Sequence, residues 1–207
     1  SVSSTLSAMT GLKTIVLSMP IKQKSEQHDL SLKHQEWLVK KFNNVEAHTV
    51  NLDKLFEVFE NSLSKFDSNL GMANSRARLR MVTLYQVATA NKGIVVGTGN
   101  KVEDFGVGFY TKYGDGGVDI SPIADCNKTE VWEIGKELDI LKEIIDAVPT
   151  DGLWDDGRTD EGQLGLKYKE LEEAMNNINS PNREKYERIR KMNLHKMEPI
   201  PVCKIPN

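Results

Sequence analysis

The 207-residue chain is 39% hydrophobic and 28% charged, a balance that predicts one globular domain with a sizeable core and excludes a mainly disordered chain. Its formal net charge of −3 argues against a general nucleic-acid binder, which is usually basic, and no apolar run approaches the roughly 20 residues that a bilayer span needs. Two cysteines and the lack of a basic leader segment predict a reduced, cytoplasmic compartment and no membrane insertion.

The first half of the chain alternates short apolar runs with amphipathic stretches. Residues 14–19 and 46–52 are predicted to be strands. Helices are predicted from residue 25 to about residue 42 and over residues 53–66, and in the first of these the apolar side chains recur at helical spacing. Residues 71–74 are predicted to form a loop.

The clearest helix is predicted over residues 75–91. Its apolar side chains form one stripe, made of Ala77, Met81, Leu84, Tyr85 and Ala88. Residues 94–96 follow as a predicted central strand, which runs into a glycine-rich turn.

Three further helices are predicted in the C-terminal half. Asn127 is placed to cap the first, with Glu130 at the capping-box position. Thr159 is placed to cap the second, and Pro181 opens the third, which is predicted to end near residue 194. One face of the second helix is predicted to carry Leu164, Tyr168, Leu171 and Met175. The tail is expected to be irregular because it contains Pro199, Pro201 and Pro206.

Strands that alternate with helices predict an α/β fold, a doubly wound parallel sheet with helices on both faces. Ligands bind such sheets beyond the carboxyl ends of the strands. The segment GTGNKVED, residues 97–104, stands at that position after the predicted central strand. Its glycines permit a close approach of the backbone to a ligand, while Thr98 offers a hydroxyl and Glu103 a carboxylate. An ordinary strand-to-helix turn, with an acid favoured by the helix dipole, has the same pattern, so both interpretations stay open.

A second segment, TKYGDGGVDISP, covers residues 111–122. Three glycines surround Asp115, with Lys112 before it and Asp119 after it, and a loop of this composition is costly to order. It is either a flexible hairpin or a loop that presents a lysine to an anion and acids to hydroxyls or a metal. Lys128 stands at a predicted helix N-terminus, where the dipole disfavours a cation. Solvation is the simpler explanation of its position and a nearby anionic ligand the alternative.

Basic residues cluster in two further places. Arg76, Arg78 and Arg80 lie on the predicted helix 75–91, where Arg78 points away from the other two. His195 and Lys196 are predicted to follow the last helix, at the end of a basic segment. Such groups are usually solvated faces, and an arginine can also serve as a fork for phosphate.

Taken in chain order, seven segments resemble the NAD synthetase family: ANSRARLRM, GTGNKVE, TKYGDGGVDISP, NKTEV, VPTDGLW, TDEGQLG and NLHK. The resemblance runs from about residue 73 to residue 196. It implies a Rossmann-like fold of the adenine nucleotide alpha hydrolase type, a homodimer, and a ligase that uses Mg²⁺. The implied reaction converts ATP, deamido-NAD⁺ and ammonia into NAD⁺, AMP and pyrophosphate through an acyl adenylate.

The resemblance assigns the family's functional positions to particular residues. It implies that Mg²⁺ is bound by Glu103 and that ATP is bound by Thr98, Lys128 and Thr150. It makes Asp115 the candidate catalytic residue near the reacting groups. The implied contacts of deamido-NAD⁺ are Arg78, Lys112, Asp119, His195 and Lys196.

One departure from the family pattern concerns phosphate binding. The family carries an SGGxDS loop that holds the ATP pyrophosphate and a second magnesium aspartate, and this sequence contains no such segment. We therefore expect residues 1–207 to form a single domain without that loop and without the strand before it, and to turn ATP over weakly. The alternatives are the synthetase domain of a glutamine-dependent NAD⁺ synthetase, an impaired nucleotide-binding fragment, and another ATP pyrophosphatase such as a GMP-synthetase-like or thiolation enzyme.

Overall fold

The computed structural model describes residues 1–23, 25–154 and 156–205 of the chain. Strands and helices alternate in the first half, as predicted, and helices dominate the second half. Within the described residues, no helix is long and apolar enough to cross a membrane. The elements in chain order are α1 (Val2–Met9), β1 (Thr14–Ser18), α2 (Ser25–Lys41), β2 (Val45–Thr49), α3 (Asp53–Ser62), a 3₁₀ turn (Ser64–Phe66), α4 (Asn69–Ala90), a π-helical segment (Lys101–Val107), α5 (Lys128–Glu137), α6 (Lys142–Ile145), α7 (Asp160–Leu164), α8 (Tyr168–Asn176) and α9 (Arg183–Met197).

The two assigned strands are parallel, and α2 connects them. They pair in register from Thr14 opposite Val45 to Ser18 opposite Thr49. Gln35 on α2 reinforces the pair, because its Nε2 donates to a main-chain carbonyl of each strand, both at 3.1 Å. A helix that crosses between parallel strands is the unit of the predicted α/β class.

The predicted loop at residues 71–74 is wrong, because α4 begins before it. Ser68 caps this helix, and its Oγ accepts a hydrogen bond from the Gly71 amide at 3.2 Å. A side-chain cap satisfies an amide that the first turn leaves unpaired, so the helix absorbs the whole segment. Ala77 and Met81 from the predicted stripe are buried.

The predicted central strand is reduced to an extended segment with one parallel bridge, which joins Val96 to Ile120. The Gly97 amide donates to the Ile120 carbonyl at 2.7 Å. Two residues before Gly97, the Val95 amide donates to the Asp119 carboxylate at 2.7 Å. A side-chain oxygen therefore replaces the strand carbonyl that a regular ladder would offer to Val95.

The C-terminal half confirms the predicted caps and corrects two helix boundaries. α5 begins with the capping box of Asn127 and Glu130. Thr159 caps as predicted, but the helix after it is divided into α7 and α8 by Gly165, whose φ of +67° favours glycine. α9 continues through the predicted end at residue 194, so His195 and Lys196 lie in its last turn and not after it. The tail after α9 is irregular where it is described, and Pro206 lies outside the described residues.

One core cluster fixes the π-helical segment in the fold. The segment packs against α7, α8 and α9 through apolar contacts. Because Glu103 lies within this segment, the cluster sets the position of Glu103 relative to α8. Its buried members are Val102, Val107, Leu164, Leu166, Tyr168, Leu171, Ala174 and Tyr186.

Candidate active site

A cavity of about 720 Å³ lies at the carboxyl ends of β1 and of the extended segment 94–96. Met19 and Gly97, which directly follow these two stretches, both line it. This is the edge at which parallel α/β sheets bind ligands. Six of the predicted site residues line the cavity: Arg78, Thr98, Lys112, Asp115, His195 and Lys196.

The last turn of α9 is bound to the loop that carries Lys112. Lys196 Nζ donates to the carbonyls of Gly108 and Tyr110, each at 2.8 Å. The Tyr110 hydroxyl donates to the Lys196 carbonyl at 2.5 Å, and Lys112 Nζ donates to the His195 carbonyl at 2.8 Å. Burial lowers the pKa of Lys196, and the charge of Asp115 acts in the opposite direction. Two predicted contacts of the dinucleotide, Lys112 and Lys196, therefore belong to one wall of the cavity.

Asp115 opens onto the same cavity. Its Oδ1 accepts a hydrogen bond from the Thr111 amide at 3.0 Å. The side chain is exposed to the cavity, yet the protein around it displaces enough water to raise the pKa of the carboxyl, while the Thr111 hydrogen bond lowers it. Gly116 lets the loop pass the Tyr110 ring, since a Cβ there would lie 2.3 Å from a ring carbon.

The three arginines of α4 hold three different loops. Arg76 Nη1 donates to the Leu153 carbonyl at 2.9 Å, and Arg78 Nε donates to the Lys112 carbonyl at 3.1 Å. Arg80 Nε donates at 3.0 Å to the carbonyl that follows β1. Burial lowers the pKa of Arg80 to about 10, and the charge of Arg76 adds to this. Arg80 also lines the cavity, although the sequence analysis gives it no role.

A second polar cluster surrounds Glu103, at the start of the π-helical segment. Asn100 caps the segment, because its Oδ1 accepts from the amides of Val102 and Glu103, both at 3.0 Å. Lys128 Nζ lies 2.9 Å from Glu103 Oε1, and the two side chains are 17% and 15% exposed. The Tyr168 hydroxyl donates to the same oxygen at 2.6 Å. The predicted metal ligand is thus held by two donors on one oxygen.

Asp160 completes this cluster. It is 5% exposed, and its Oδ2 lies 3.0 Å from the Tyr168 hydroxyl. Its Oδ1 is buried with no hydrogen-bond partner among the described residues. Burial and the charge of Glu103 raise the pKa of Asp160 to about 6, and burial with the charges of Glu103 and Asp115 raises the pKa of Asp104 to about 7. Thr98, five residues before Glu103, lines the cavity, whereas Glu103 and Lys128 are not among its lining residues.

Four of the predicted site residues are not among those that line the cavity: Glu103, Asp119, Lys128 and Thr150. The Asp119 carboxylate accepts from the Val95 amide and, at 3.1 Å, from the Tyr85 hydroxyl. Thr150 Oγ1 donates to the Arg158 carbonyl at 3.1 Å. Their roles in ligand binding stay predictions.

Tyr168 and Asp160 are functional candidates that the sequence analysis misses. Their position beside Glu103 depends on the break at Gly165 and on packing between distant elements. The signal in the sequence is the TDE segment, where Asp160 directly follows the helix cap Thr159. Tyr168 falls on a predicted apolar face, where a buried hydroxyl cannot be distinguished from core packing.

A parallel α/β fold with a cation-lined cavity at its strand ends defines a nucleotide-binding protein of the Rossmann-like class. The family model for NAD synthase matches residues 2–205. The chain therefore belongs to the NAD synthase family, and its fold is that of the Rossmann-like nucleotide alpha hydrolases.

Individual relatives agree with this assignment. The NH(3)-dependent NAD(+) synthetase of Carboxydothermus hydrogenoformans is 42% identical over 133 residues, which cover 62% of this chain and 54% of the relative. The enzyme of the same name from Alkaliphilus oremlandii is 42% identical over 165 residues, which cover 78% of this chain and 62% of the relative. The chain thus spans little more than half the length of these curated relatives. A solved NMN synthetase from Francisella tularensis is 33% identical with a TM-score of 0.87, covering 100% of this chain and 84% of that one. An NH3-dependent NAD synthetase from Campylobacter jejuni, 20% identical over 98% of this chain and 86% of its own, has the same fold with a TM-score of 0.73.

Proposed function

We propose that the protein is an ammonia-dependent NAD⁺ synthetase, a ligase that converts ATP, deamido-NAD⁺ and ammonia into NAD⁺, AMP and pyrophosphate. The observation that carries the proposal is the cavity wall formed by Arg78, Lys112 and Lys196. Each of these cations can pair with a phosphate group, and a dinucleotide presents two phosphates. The names of the curated relatives support the same reaction.

The proposed binding roles follow the resemblance to the NAD synthetase family. Deamido-NAD⁺ is bound by Arg78, Lys112, Asp119, His195 and Lys196, and ATP by Thr98, Lys128 and Thr150. Lys112 and Lys196 donate to neutral carbonyls in this structure, and phosphate is the stronger acceptor because it carries charge. The sequence contains no SGGxDS segment, so the proposal for ATP rests on Thr98, Lys128 and Thr150. We also propose that residues 1–207 form a single domain.

The chemistry consists of two displacements. An oxygen of the nicotinate carboxylate attacks the α-phosphorus of ATP, and pyrophosphate leaves. Ammonia then attacks the acyl carbon, the bond to AMP breaks, and the nitrogen loses a proton. Asp115 opens onto the cavity, where its carboxylate can accept that proton. We assign that proton to Asp115.

Magnesium is proposed to bind at Glu103. Among the described residues there is no group of three or more His, Cys, Asp or Glu side chains that could hold a metal by itself. Mg²⁺ commonly takes one or two carboxylates and completes its shell with substrate phosphates and water, so a single carboxylate fits. The buried, unpartnered Oδ1 of Asp160 nearby is a further acceptor that a cation or its water could satisfy. When bound, the ion would withdraw charge from the phosphates.

The test uses protein expressed from its complete reading frame. With ATP, Mg²⁺, deamido-NAD⁺ and ammonium, we expect NAD⁺ and AMP in equal amounts. AMP without NAD⁺ would indicate another ATP pyrophosphatase, and a requirement for glutamine in place of ammonium would indicate the glutamine-dependent alternative. Substrate binding without AMP would indicate a binding module.

A second candidate is NMN synthetase activity, because the solved protein of that name covers the whole chain. The same two displacements on nicotinate mononucleotide would yield NMN. The two candidates differ in whether the cavity must hold an adenylate half beyond the shared nicotinate ribotide. Comparing kcat/KM for deamido-NAD⁺ and for nicotinate mononucleotide distinguishes them, and the proposal requires the larger value for deamido-NAD⁺.

A cytoplasmic homodimer is the proposed state of the protein. Apolar side chains are exposed along α3 and the start of α4, notably Leu55, Val58, Phe59, Phe66 and Leu70, and an apolar patch of this kind suits an interface. Light scattering is expected to give twice the 23.3 kDa mass of the chain. A monomer at micromolar concentration would contradict the dimer.

A further inference from the structure

The new inference concerns Tyr168, beside the proposed metal ligand. Two donors, the Tyr168 hydroxyl at 2.6 Å and the Lys128 ammonium at 2.9 Å, both contact Glu103 Oε1. We propose that Tyr168 is a positioning residue that fixes the Glu103 carboxylate so that its other oxygen, Oε2, faces the metal–nucleotide. This inference rests on the proposed function.

Tyr168 is itself too buried to touch a substrate, since it is only 1% exposed. Its ring is fixed on several sides. The Trp132 ring contacts it edge-on at 5.9 Å between centroids, and Lys128 Nζ lies 4.9 Å above it. The Tyr168 amide donates to Glu161 Oε1 at 3.0 Å. Because Trp132 packs against the ring and Glu161 holds the Tyr168 amide, the direction of the hydroxyl is set by the fold independently of Lys128.

The hydroxyl has one proton and two carboxylate neighbours. The Glu103 oxygen is 2.6 Å away and the Asp160 oxygen is 3.0 Å away, so the shorter contact takes the proton. A short hydrogen bond to a carboxylate from a neutral donor orients that carboxylate without neutralising its charge. The hydrogen bond from Tyr168 therefore restricts the rotation of the Glu103 carboxylate.

Lys128 cannot provide the same constraint during turnover. In the proposed function, Lys128 contacts ATP, so a phosphate draws its ammonium away from the Glu103 carboxylate. Tyr168 is not among the described residues that line the cavity, and its bond to Oε1 can persist while Lys128 moves. Outer groups that orient a metal-binding carboxylate typically change metal affinity by about 10- to 100-fold when they are removed.

The test compares Tyr168→Phe with Tyr186→Phe. Tyr186 is a matched control, because it is 5% exposed and belongs to the same core cluster but has no contact with Glu103 among the described side chains. The binding of Mn²⁺ in the presence of α,β-methylene-ATP is measured by the electron paramagnetic resonance signal of free Mn²⁺, relative to the same titration of the nucleotide without protein. We expect the Mn²⁺ dissociation constant to rise by about tenfold or more in Tyr168→Phe and to stay unchanged in Tyr186→Phe. The apparent KM for Mg²⁺ in the NAD⁺ assay should rise in parallel, with the KM for deamido-NAD⁺ unchanged.

A volume-matched pair removes the ambiguity of a damaged core. Tyr168 is replaced by 4-aminophenylalanine, which keeps a donor, and by 4-fluorophenylalanine, which has none. The donor should restore Mn²⁺ binding and the fluorine should not. A Mn²⁺ affinity that is equal in both, or unaltered in Tyr168→Phe, would overturn the inference while leaving the proposed function intact. Failure of the wild type to bind Mn²⁺ with the nucleotide would overturn both.

Discussion

Lys196 offers the sharpest separation of a structural role from a binding role. As a surface residue, it would contribute at most about 0.5 kcal/mol to stability. Its ammonium instead donates to the carbonyls of Gly108 and Tyr110, each at 2.8 Å, and hydrogen bonds to charged groups contribute about 1.5–3 kcal/mol in buried settings. Because Lys196 is only half-buried, we expect Lys196→Met to lower the free energy of unfolding by about 2 kcal/mol for the pair of bonds. That corresponds to a fall in Tm of about 4–8 °C for a domain of this size.

The binding role of Lys196 is measured separately. Loss of a charge-assisted contact to phosphate in Lys196→Met should lower the affinity for deamido-NAD⁺ by about 10- to 150-fold. The affinity for ATP should stay nearly unchanged. Lys191→Met is the control, since Lys191 is an exposed lysine on the same helix. Thermal unfolding and calorimetric titration of each ligand check the two effects at a temperature where both variants are folded. Equal Tm values for the two variants would refute the structural argument, and equal loss of both ligands would reduce the binding effect to general electrostatics.

Three further predictions follow from the site. Glu103→Gln should abolish Mg²⁺-dependent AMP formation while the circular dichroism spectrum stays that of the wild type, and undiminished turnover at saturating ATP would contradict this. Gly116→Ala should lower the free energy of unfolding by about 1–3 kcal/mol, because the new Cβ would lie 2.3 Å from a carbon of the Tyr110 ring. Gly93→Ala is the control and should change the free energy of unfolding little, because the nearest atom would be 3.8 Å away. Urea titration measures both variants. The pKa of Asp104 is raised to about 7 in the folded protein. Between about pH 4 and pH 7 the folded state therefore holds a proton that the unfolded state has released. The contribution of Asp104 to the free energy of unfolding falls as the pH rises through this range. Asp104→Asn should remove that part of the pH dependence of the urea midpoint, and an identical slope in the variant would refute it.

Local rules in the sequence account for much of the fold. The capping box at Asn127 and Glu130 and the cap at Thr159 are confirmed, because each depends on residues within one helical turn. The errors arise where distant groups decide. The Val95 amide donates to the Asp119 carboxylate and not to a carbonyl of a neighbouring strand. Lys196, in the last turn of α9, donates to two carbonyls of a distant loop. Neither contact has a signature in sequence spacing.

In the candidate site, too, some residues are predicted from sequence motifs and others are found only in the structure. Motif resemblance names Glu103 and Lys128, and the structure pairs them directly. It does not name Tyr168, because a tyrosine at helical spacing among leucines is typical of an ordinary core position. The position of Tyr168 beside Glu103 depends on how α8 packs against the π-helical segment, which is a property of the assembled fold. Resemblance therefore names Glu103 and Lys128 but not the tyrosine that the fold places beside them.

The pairing of Lys128 with Glu103 predicts that ATP and Mg²⁺ bind with positive coupling. Lys112 and Lys196 donate to neutral carbonyls, so a phosphate can replace those partners without leaving a charge unpaired. Lys128 differs, because moving its ammonium to ATP leaves the Glu103 carboxylate, 15% exposed, without its counter-ion, and an uncompensated buried charge is costly. A cation at Glu103 removes that cost, and linkage requires that each ligand then tighten the other by the same factor. A coupling of about 1–3 kcal/mol, or about 5- to 150-fold, is expected when α,β-methylene-ATP is titrated with and without Mg²⁺. Part of this coupling reflects Mg²⁺ binding to the free nucleotide, so the titrations are repeated with Glu103→Gln, in which the part due to the protein should vanish. The same coupling in wild type and variant would refute the proposed movement of Lys128 from Glu103 to ATP.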